Sequence, residues 1–116
     1  MQLNKIKLLI KEKIEKVLLE IGFIEETVRL ESKTIDGKEE LKCYKFNEMY
    51  CLLSFIQHKT TSGIMKDWVL IEYADGIQEA SKWMFEDGDM IPLDLPIEQI
   101  IREIKEEVIN VIKSEK

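Results

Sequence analysis

The stretch Val69–Leu95, VLIEYADGIQEASKWMFEDGDMIPLDL, decides how the chain is organised. It begins as an apolar strand ending near Tyr73, then breaks and continues as a short amphipathic helix. Asp75 is a suitable N-cap residue for that helix, because Gln78 stands three residues later. At this spacing each side chain can accept a hydrogen bond from a backbone N–H left free at the helix start. We therefore predict a helix that begins directly after Asp75.

The acidic run Glu86–Asp89 follows this central helix. Gly88 suits the left-handed backbone conformation that closes helices, so the run is predicted to be a turn. Trp83 then has two interpretations. It is buried in the core, or it forms a binding surface together with Phe85 and the acidic turn. Four apolar residues share one face of the predicted helix: Ile77, Ala80, Trp83 and Met84.

The chain before this stretch reads as one helix and three strands. Residues 3–21 carry an apolar stripe at spacings of three and four, which predicts an amphipathic helix ending at Gly22. Asp36-Gly37 indicates a two-residue hairpin turn. Residues 49–56 are apolar on both faces, which predicts a central strand or one covered on its second face. Residues 65–73 form the fourth strand, and a polar loop over 58–63 precedes it.

The hairpin register follows from placing the turn at Asp36-Gly37. That register has two opposite-charge pairs on one face and apolar residues on the other, which a one-residue slip would destroy. The predicted partners are Ser32 with Leu41, Glu31 with Lys42, Leu30 with Cys43, Lys33 with Glu40, and Arg29 with Tyr44. A further turn is expected at Asn47-Glu48.

The chain after this stretch reads as one closing helix. Pro96 suits the first position of a helix, and an apolar stripe continues from Ile97 to about Lys113. The prediction is an α+β fold, a single domain over 1–116 with element order α-β-β-β-β-α-α. In it, a four-stranded antiparallel meander carries an N-terminal helix and two C-terminal helices packed on one face.

Composition and charge exclude several functional classes. The 116 residues have a net charge of −6, and residues 72–107 carry eleven acidic against three basic side chains. This distribution argues against nucleic acid as a ligand and is compatible with a basic protein partner. The apolar runs are too short to span a membrane, and lysines and glutamates interrupt the N-terminal residues, which is untypical of a signal peptide. We therefore expect a cytoplasmic protein without a membrane partner.

The residues offer little support for catalysis. There is no phosphate-binding loop, nucleophile elbow or zinc-protease motif, so we expect no enzyme activity, no cofactor and no metal. Cys43 and Cys51 lie in apolar strand patterns, which is typical of free core cysteines. His58 is the single histidine.

Residues 69–108 resemble the C-terminal half of small uncharacterised bacterial α/β proteins that resemble toxin-immunity proteins. The features that carry the resemblance are a strand ending in Tyr73-Ala74, a short helix, the run Glu86–Asp89, Pro92-Leu93 and an amphipathic closing helix. The resemblance implies a non-enzymatic inhibitor and transfers no particular binding residue.

Three functional hypotheses follow. The first is a protein-interaction domain whose acidic face binds a basic partner. The second is a ligand-binding module or enzyme with a pocket between sheet and helices, marked by Tyr50, Cys51, His58 and Tyr73. The third is a homodimer formed through the strand that is apolar on both faces. For the first, the expected partner-binding residues are Glu79, Trp83, Phe85, Glu86, Asp87, Asp89 and Asp94.

Overall fold

A computed structural model describes residues 3–30 and 40–114 and has the predicted α+β class. An N-terminal helix, an antiparallel sheet and C-terminal helices are present as expected. The sheet has five strands in sequence order, not four, with β3 at its centre. The elements are α1 (Leu3–Ile21), β1 (Ile24–Arg29), β2 (Glu40–Phe46), β3 (Met49–Lys59), β4 (Met65–Ala74), α2 (Ile77–Ser81), β5 (Glu86–Pro92) and α3 (Ile97–Ser114).

The prediction that Glu86–Asp89 forms a turn is wrong, because these residues begin the edge strand β5. This strand pairs antiparallel with β4, and Asp89 stands opposite Ile71. Gly88 is not left-handed. A β-carbon added to it would lie 2.0 Å from the Ile71 carbonyl oxygen, so glycine is required for the close approach of the two strands. The pairing is irregular at this point, between Ile71 and Tyr73.

Helix α2 begins later and ends earlier than expected. Its N-cap is Gly76, in extended conformation and without a side-chain cap, so the predicted Asp75–Gln78 capping pair does not form. Trp83 closes the helix with a φ of 58°. The Trp83 N–H donates to the Ala80 carbonyl at 3.1 Å, and the Met84 N–H donates to the Glu79 carbonyl at 2.8 Å. This is the Schellman arrangement, with tryptophan in the left-handed position that glycine usually occupies.

The early helix end changes what α2 buries. Of the four residues predicted to share its apolar face, only Ala80 is buried. Ile77, Trp83 and Met84 are each more than half exposed. The interpretation that buries Trp83 in the core is therefore wrong.

The hairpin register differs from the prediction by four residues. Arg29 pairs with Glu40, and Cys43 pairs with Glu26, not with Leu30. An even shift leaves each residue on its original face, so Val28 and Cys43 are buried in both registers. The predicted turn and the predicted pairs of residues 31–33 lie outside the described residues. The turn at Asn47-Glu48 is confirmed, with Asn47 at a φ of 54°.

The two faces of the sheet are covered by different helices, whereas all helices were predicted on one face. Helices α1 and α3 pack on the first face through fully buried stripes, and each such side chain contributes about 1.5–3 kcal/mol. Helix α2 covers one end of the second face. The stripes are Ile10, Ile14 and Leu18 of α1 and Ile100, Ile104 and Val108 of α3. The second cluster holds Val28, Cys43, Tyr50, Ala74 and Ala80, with Phe85 packed against it.

Polar contacts hold α1 in place on the sheet. The Tyr44 hydroxyl donates a hydrogen bond to the Glu15 carboxylate. Lys42 Nζ lies 3.7 Å from the same carboxylate and 3.0 Å from that of Glu25. At the other end, Lys7 Nζ lies 3.4 Å from Asp67 Oδ1. The loop predicted over 58–63 is shorter, because β3 continues to Lys59.

Candidate functional site

A cavity of about 290 Å³ lies where the end of β4, the start of β5 and the last turn of α3 meet. Strands β4 and β5 and helix α2 supply the acidic wall, and α3 supplies the opposite wall. Three of the eight described residues that line it are carboxylates. The lining residues are Tyr73, Ala74, Asp75, Glu79, Met84, Glu86, Val111 and Ser114.

Each carboxylate reaches the cavity from a different element. Asp75 directly follows β4, Glu79 is in the first turn of α2, and Glu86 opens β5 opposite Tyr73. Within residues 3–30 and 40–114, none of the three forms an ion pair with a lysine or arginine. The cavity therefore has an uncompensated negative potential, which favours a positively charged occupant.

The end of α3 brings carbonyl groups to the cavity, and Lys113 of the same turn partly offsets their negative charge. Val111 and Ser114 line the cavity from the last turn of the helix. The carbonyl groups of a last helical turn carry a partial negative charge, so cations are stabilised there. In the described part of the chain, one carbonyl of this turn accepts a hydrogen bond from a side chain. It is the Val111 carbonyl, and the donor is Ser114 Oγ at 2.8 Å.

Tyr73 also lines the cavity, and its hydroxyl is buried. The ring lies in the core, 5% exposed, and the hydroxyl has no hydrogen-bond partner among the described residues. Burial is the main cause that raises the pKa of Tyr73, and electrostatic interactions with Cys51, Glu107 and Asp89 add to the increase. The hydroxyl therefore keeps its proton at neutral pH.

The two predicted aromatic anchors have different environments. Trp83 is 55% exposed, because its left-handed backbone directs the chain out of the helix before β5 begins. Its neighbour Met84 is also exposed and lines the cavity. Phe85 is half-buried and packs against the core cluster of the second sheet face. Trp83 is thus accessible to a partner, while Phe85 mainly stabilises the position of α2.

The predicted acidic residues are not one continuous surface. Glu79 and Glu86 line the cavity, and Asp89 is exposed on β5, with its Oδ1 accepting the Met90 N–H at 3.0 Å. Asp94 lies beside the opposite end of β4, where its carboxylate is 2.8 Å from Lys66 Nζ. The strand rise places that end roughly 25 Å from the cavity. The Asp87 side chain is outside the described part of the structure.

Sequence reasoning missed part of this site. Asp75 was expected only as a helix cap, and the last turn of α3 was expected only to pack on the sheet. The cavity combines residues of β4 and β5 with Val111 and Ser114, which are far apart in sequence. The acidic composition of residues 72–107 was a signal for the carboxylates of the cavity. No local pattern in the sequence marked Val111 and Ser114 as lining residues.

The markers of a sheet–helix ligand pocket are not brought together. Tyr50 belongs to the second sheet face, whereas Cys51 and Tyr73 belong to the first. His58 lies near the far end of β3, opposite Lys66. Among the described residues, no group of three or more His, Cys, Asp or Glu has a geometry that could hold a metal ion.

The two cysteines are free and buried, as predicted. Burial and, to a smaller extent, the neighbouring Glu26 raise the pKa of the Cys43 thiol to about 11. The pKa of Cys51 is also raised, again mainly by burial. Both groups are therefore protonated thiols at neutral pH, a state with low nucleophilicity.

Comparisons of the chain with family models, with curated proteins and with solved structures found no match. The resemblance of residues 69–108 to toxin-immunity proteins therefore stays a prediction. Within the described part of the chain, no helix has both the length and the apolar composition needed to cross a membrane.

Proposed function

We propose that this chain is a non-enzymatic protein-interaction domain, immunity-like in action, that binds a basic protein through its acidic end. The observation that carries the proposal is the cavity lined by Asp75, Glu79 and Glu86 and closed by the last turn of α3. These groups attract positive charge, and the cavity has room for one lysine or arginine head group of a partner.

The exposed Trp83 extends this binding surface. It is adjacent in sequence to Met84, which lines the cavity. A large aromatic side chain beside a charged pocket is a typical anchor, because it buries apolar area and can stack on a guanidinium group. Asp89, exposed on β5, adds negative charge that speeds association with a basic surface.

A comparison of charge variants tests the proposal. Wild-type protein and the double variant Glu79→Gln/Glu86→Gln are used to capture proteins from a lysate of the native organism, and the captured protein is then purified. Association rates are measured at low and moderate salt. We expect the double variant to associate at least ten-fold more slowly and to show a weaker salt dependence.

The matched control is Glu12→Gln combined with Glu20→Gln, which removes two charges from exposed positions of α1 that do not line the cavity. This control should retain the wild-type rate to within about two-fold, since rim charges far from a contact contribute little. Equal rates for the cavity variant and the control would show that the cavity is not the binding site.

A small basic molecule is the second candidate occupant of the same cavity. Its volume is close to the lower limit of roughly 300 Å³ for ligand pockets, which suits a single amine. Native mass spectrometry of the purified protein distinguishes the two, because a retained amine adds a discrete mass that Glu79→Gln/Glu86→Gln abolishes. The homodimer hypothesis stays a prediction: Tyr50, Cys51 and Leu52 of the central strand β3 are buried within one chain, whereas the residues from Leu53 to Ile56 are half-buried.

A further inference from the structure

A second groove, of opposite charge, lies between α1 and α3 on the side of the helices away from the sheet. Its volume is about 450 Å³, and four cations line it: Lys13 and Lys16 on α1, and Arg102 and Lys105 on α3. Within the described ranges, none of these four is ion-paired. A protein with a net charge of −6 thus keeps four unpaired positive charges around one groove.

The floor of this groove is apolar. Val17, Ile97 and Ile101 line it, and all three are half-buried. Ile97 and Ile101 also pack against the core on their other side. Among the described residues that line the groove, Glu98 is the single acidic one, and their net charge is +3. An apolar floor between two charged walls favours a ligand with an apolar side and negative flanks.

The arrangement of the cations selects one kind of ligand. Each helix contributes a pair at positions i and i+3, which lie on the same side of that helix. A ligand with one carboxylate, such as a fatty acid, neutralises only one wall. An amphipathic helix with an apolar stripe and acidic residues along both sides of the stripe neutralises both walls. Its apolar stripe would occupy the floor, as in other helix-in-groove complexes.

We propose that the α1–α3 groove binds an acidic amphipathic helix of a partner protein. The site is separate from the acidic cavity, and the two proposals fail independently. From Ile97 to Lys105 the groove extends along α3 for roughly 12 Å, which corresponds to about two turns of a bound helix. Two apolar residues at i and i+4 and two acidic residues on each flank match that length.

The test uses a synthetic 18-residue peptide with leucine at i, i+4 and i+7, glutamate along both flanks and alanine elsewhere. A second peptide replaces every glutamate with glutamine. Binding is followed by fluorescence anisotropy, and the contact site is located from the methyl NMR signals of Val17, Ile97 and Ile101. We expect micromolar binding of the acidic peptide, at least ten-fold weaker binding of the neutral one, and shifts at these three residues.

Charge variants of the protein complete the test. Lys16→Glu/Lys105→Glu should weaken binding of the acidic peptide at least ten-fold, whereas Lys11→Glu/Lys59→Glu, at two exposed lysines outside the groove, should change it less than two-fold. Circular dichroism checks that each variant is folded.

Three results would overturn the proposal: no binding of the acidic peptide at 200 µM, equal binding of both peptides, or methyl shifts outside the groove. Preferential binding of dodecanoate, of vesicles rich in anionic lipid or of a single-stranded oligonucleotide, lost in Lys16→Glu/Lys105→Glu, would assign the groove to another class of ligand and would equally overturn it.

Discussion

Gly88 of β5 lies directly against the backbone of Ile71 in β4, so that a β-carbon at Gly88 would stand 2.0 Å from the Ile71 carbonyl oxygen. The same β-carbon would be 2.8 Å from Cγ of Glu72. A β-carbon in a real protein does not come this close to a carbonyl oxygen. The backbone of Ile71 also cannot move aside easily, whereas the end of a flexible side chain could. The position of β5, and with it the acidic cavity, depends on the absence of a side chain at residue 88.

We therefore expect Gly88→Ala to lower the free energy of unfolding by about 2–3 kcal/mol, a range typical of substitutions that force a backbone shift. Urea unfolding followed by circular dichroism measures this. Gly76→Ala is the matched control, because its added β-carbon meets only Glu79 Oε2, at 3.1 Å, which is the end of a flexible side chain. Similar losses for both variants would contradict the proposed contact.

Trp83 provides a second test through its backbone. Its φ of 58° is unfavourable for a residue with a β-carbon, by about 1 kcal/mol, and costs glycine nothing. Both Trp83→Gly and Trp83→Ala remove the same exposed ring, so their difference reports the backbone alone. We expect the glycine variant to be the more stable of the two by about 0.5–1 kcal/mol in urea unfolding, despite its greater unfolded-state entropy. A more stable alanine variant would show that residue 83 is not left-handed in solution.

Removal of the hydroxyl group should change the stability of the protein differently at two buried tyrosines. Tyr44 donates to the Glu15 carboxylate, so Tyr44→Phe should reduce stability by about 1.5–3 kcal/mol, the usual contribution of a hydrogen bond to a charged group. The Tyr73 hydroxyl has no partner among the described residues, so Tyr73→Phe should be neutral or stabilising by up to about 1 kcal/mol. Thermal unfolding of the two variants side by side measures the contrast, and equal losses would be inconsistent with it.

Glu107 gives a prediction that depends on pH. Burial raises the pKa of this carboxyl, and the neighbouring Asp89 raises it further. Because the folded state holds the proton more tightly than the unfolded state, ionisation of Glu107 destabilises the fold as pH rises through the raised pKa. Glu107→Gln should therefore stabilise the protein at pH 7, by less than about 1 kcal/mol since the group is partly solvated. The gain should disappear below the ordinary glutamate pKa, about 4.3.

Unfolding free energies at pH 4, 5.5 and 7 measure this effect. Glu106→Gln, at an exposed position on the same helix, is the control and should show no comparable change between these pH values. Asp89→Asn should lower the pKa of Glu107 and so reduce the gain from Glu107→Gln. A gain from Glu107→Gln that is equal at pH 4 and pH 7 would show that the substitution acts through packing and not through charge.

The long helices could be predicted from the sequence because their apolar stripes are regular. Helix α3 begins at Ile97, after Pro96 as expected, and ends within one residue of the predicted Lys113. Strand β5 could not be predicted in the same way. Its first four residues are three acids and a glycine, a composition typical of turns, and its pairing depends on the close contact of Gly88 with β4.

The other errors also have physical reasons. A register shift of four residues between β1 and β2 preserves the alternation of buried and exposed residues, so the pattern that supported one register fits the other equally well. The end of α2 depends on Trp83 accepting a left-handed conformation, which residue type alone disfavours. In the candidate site, Glu79 and Glu86 were predicted as partner-binding residues. Val111 and Ser114 were not, because only the tertiary packing of α3 brings them to the cavity.

The position of β5 at the margin of the sheet has a consequence for how copies of the protein behave together. An open strand presents unpaired N–H and C=O groups that can add to the same strand of another molecule and begin a fibril. Here that strand carries the exposed carboxylates of Glu86 and Asp89 and ends at Pro92, which has no N–H to donate. Two such strands brought side by side repel each other. Acidification, which neutralises these carboxylates, should therefore promote self-association of the folded protein before it unfolds.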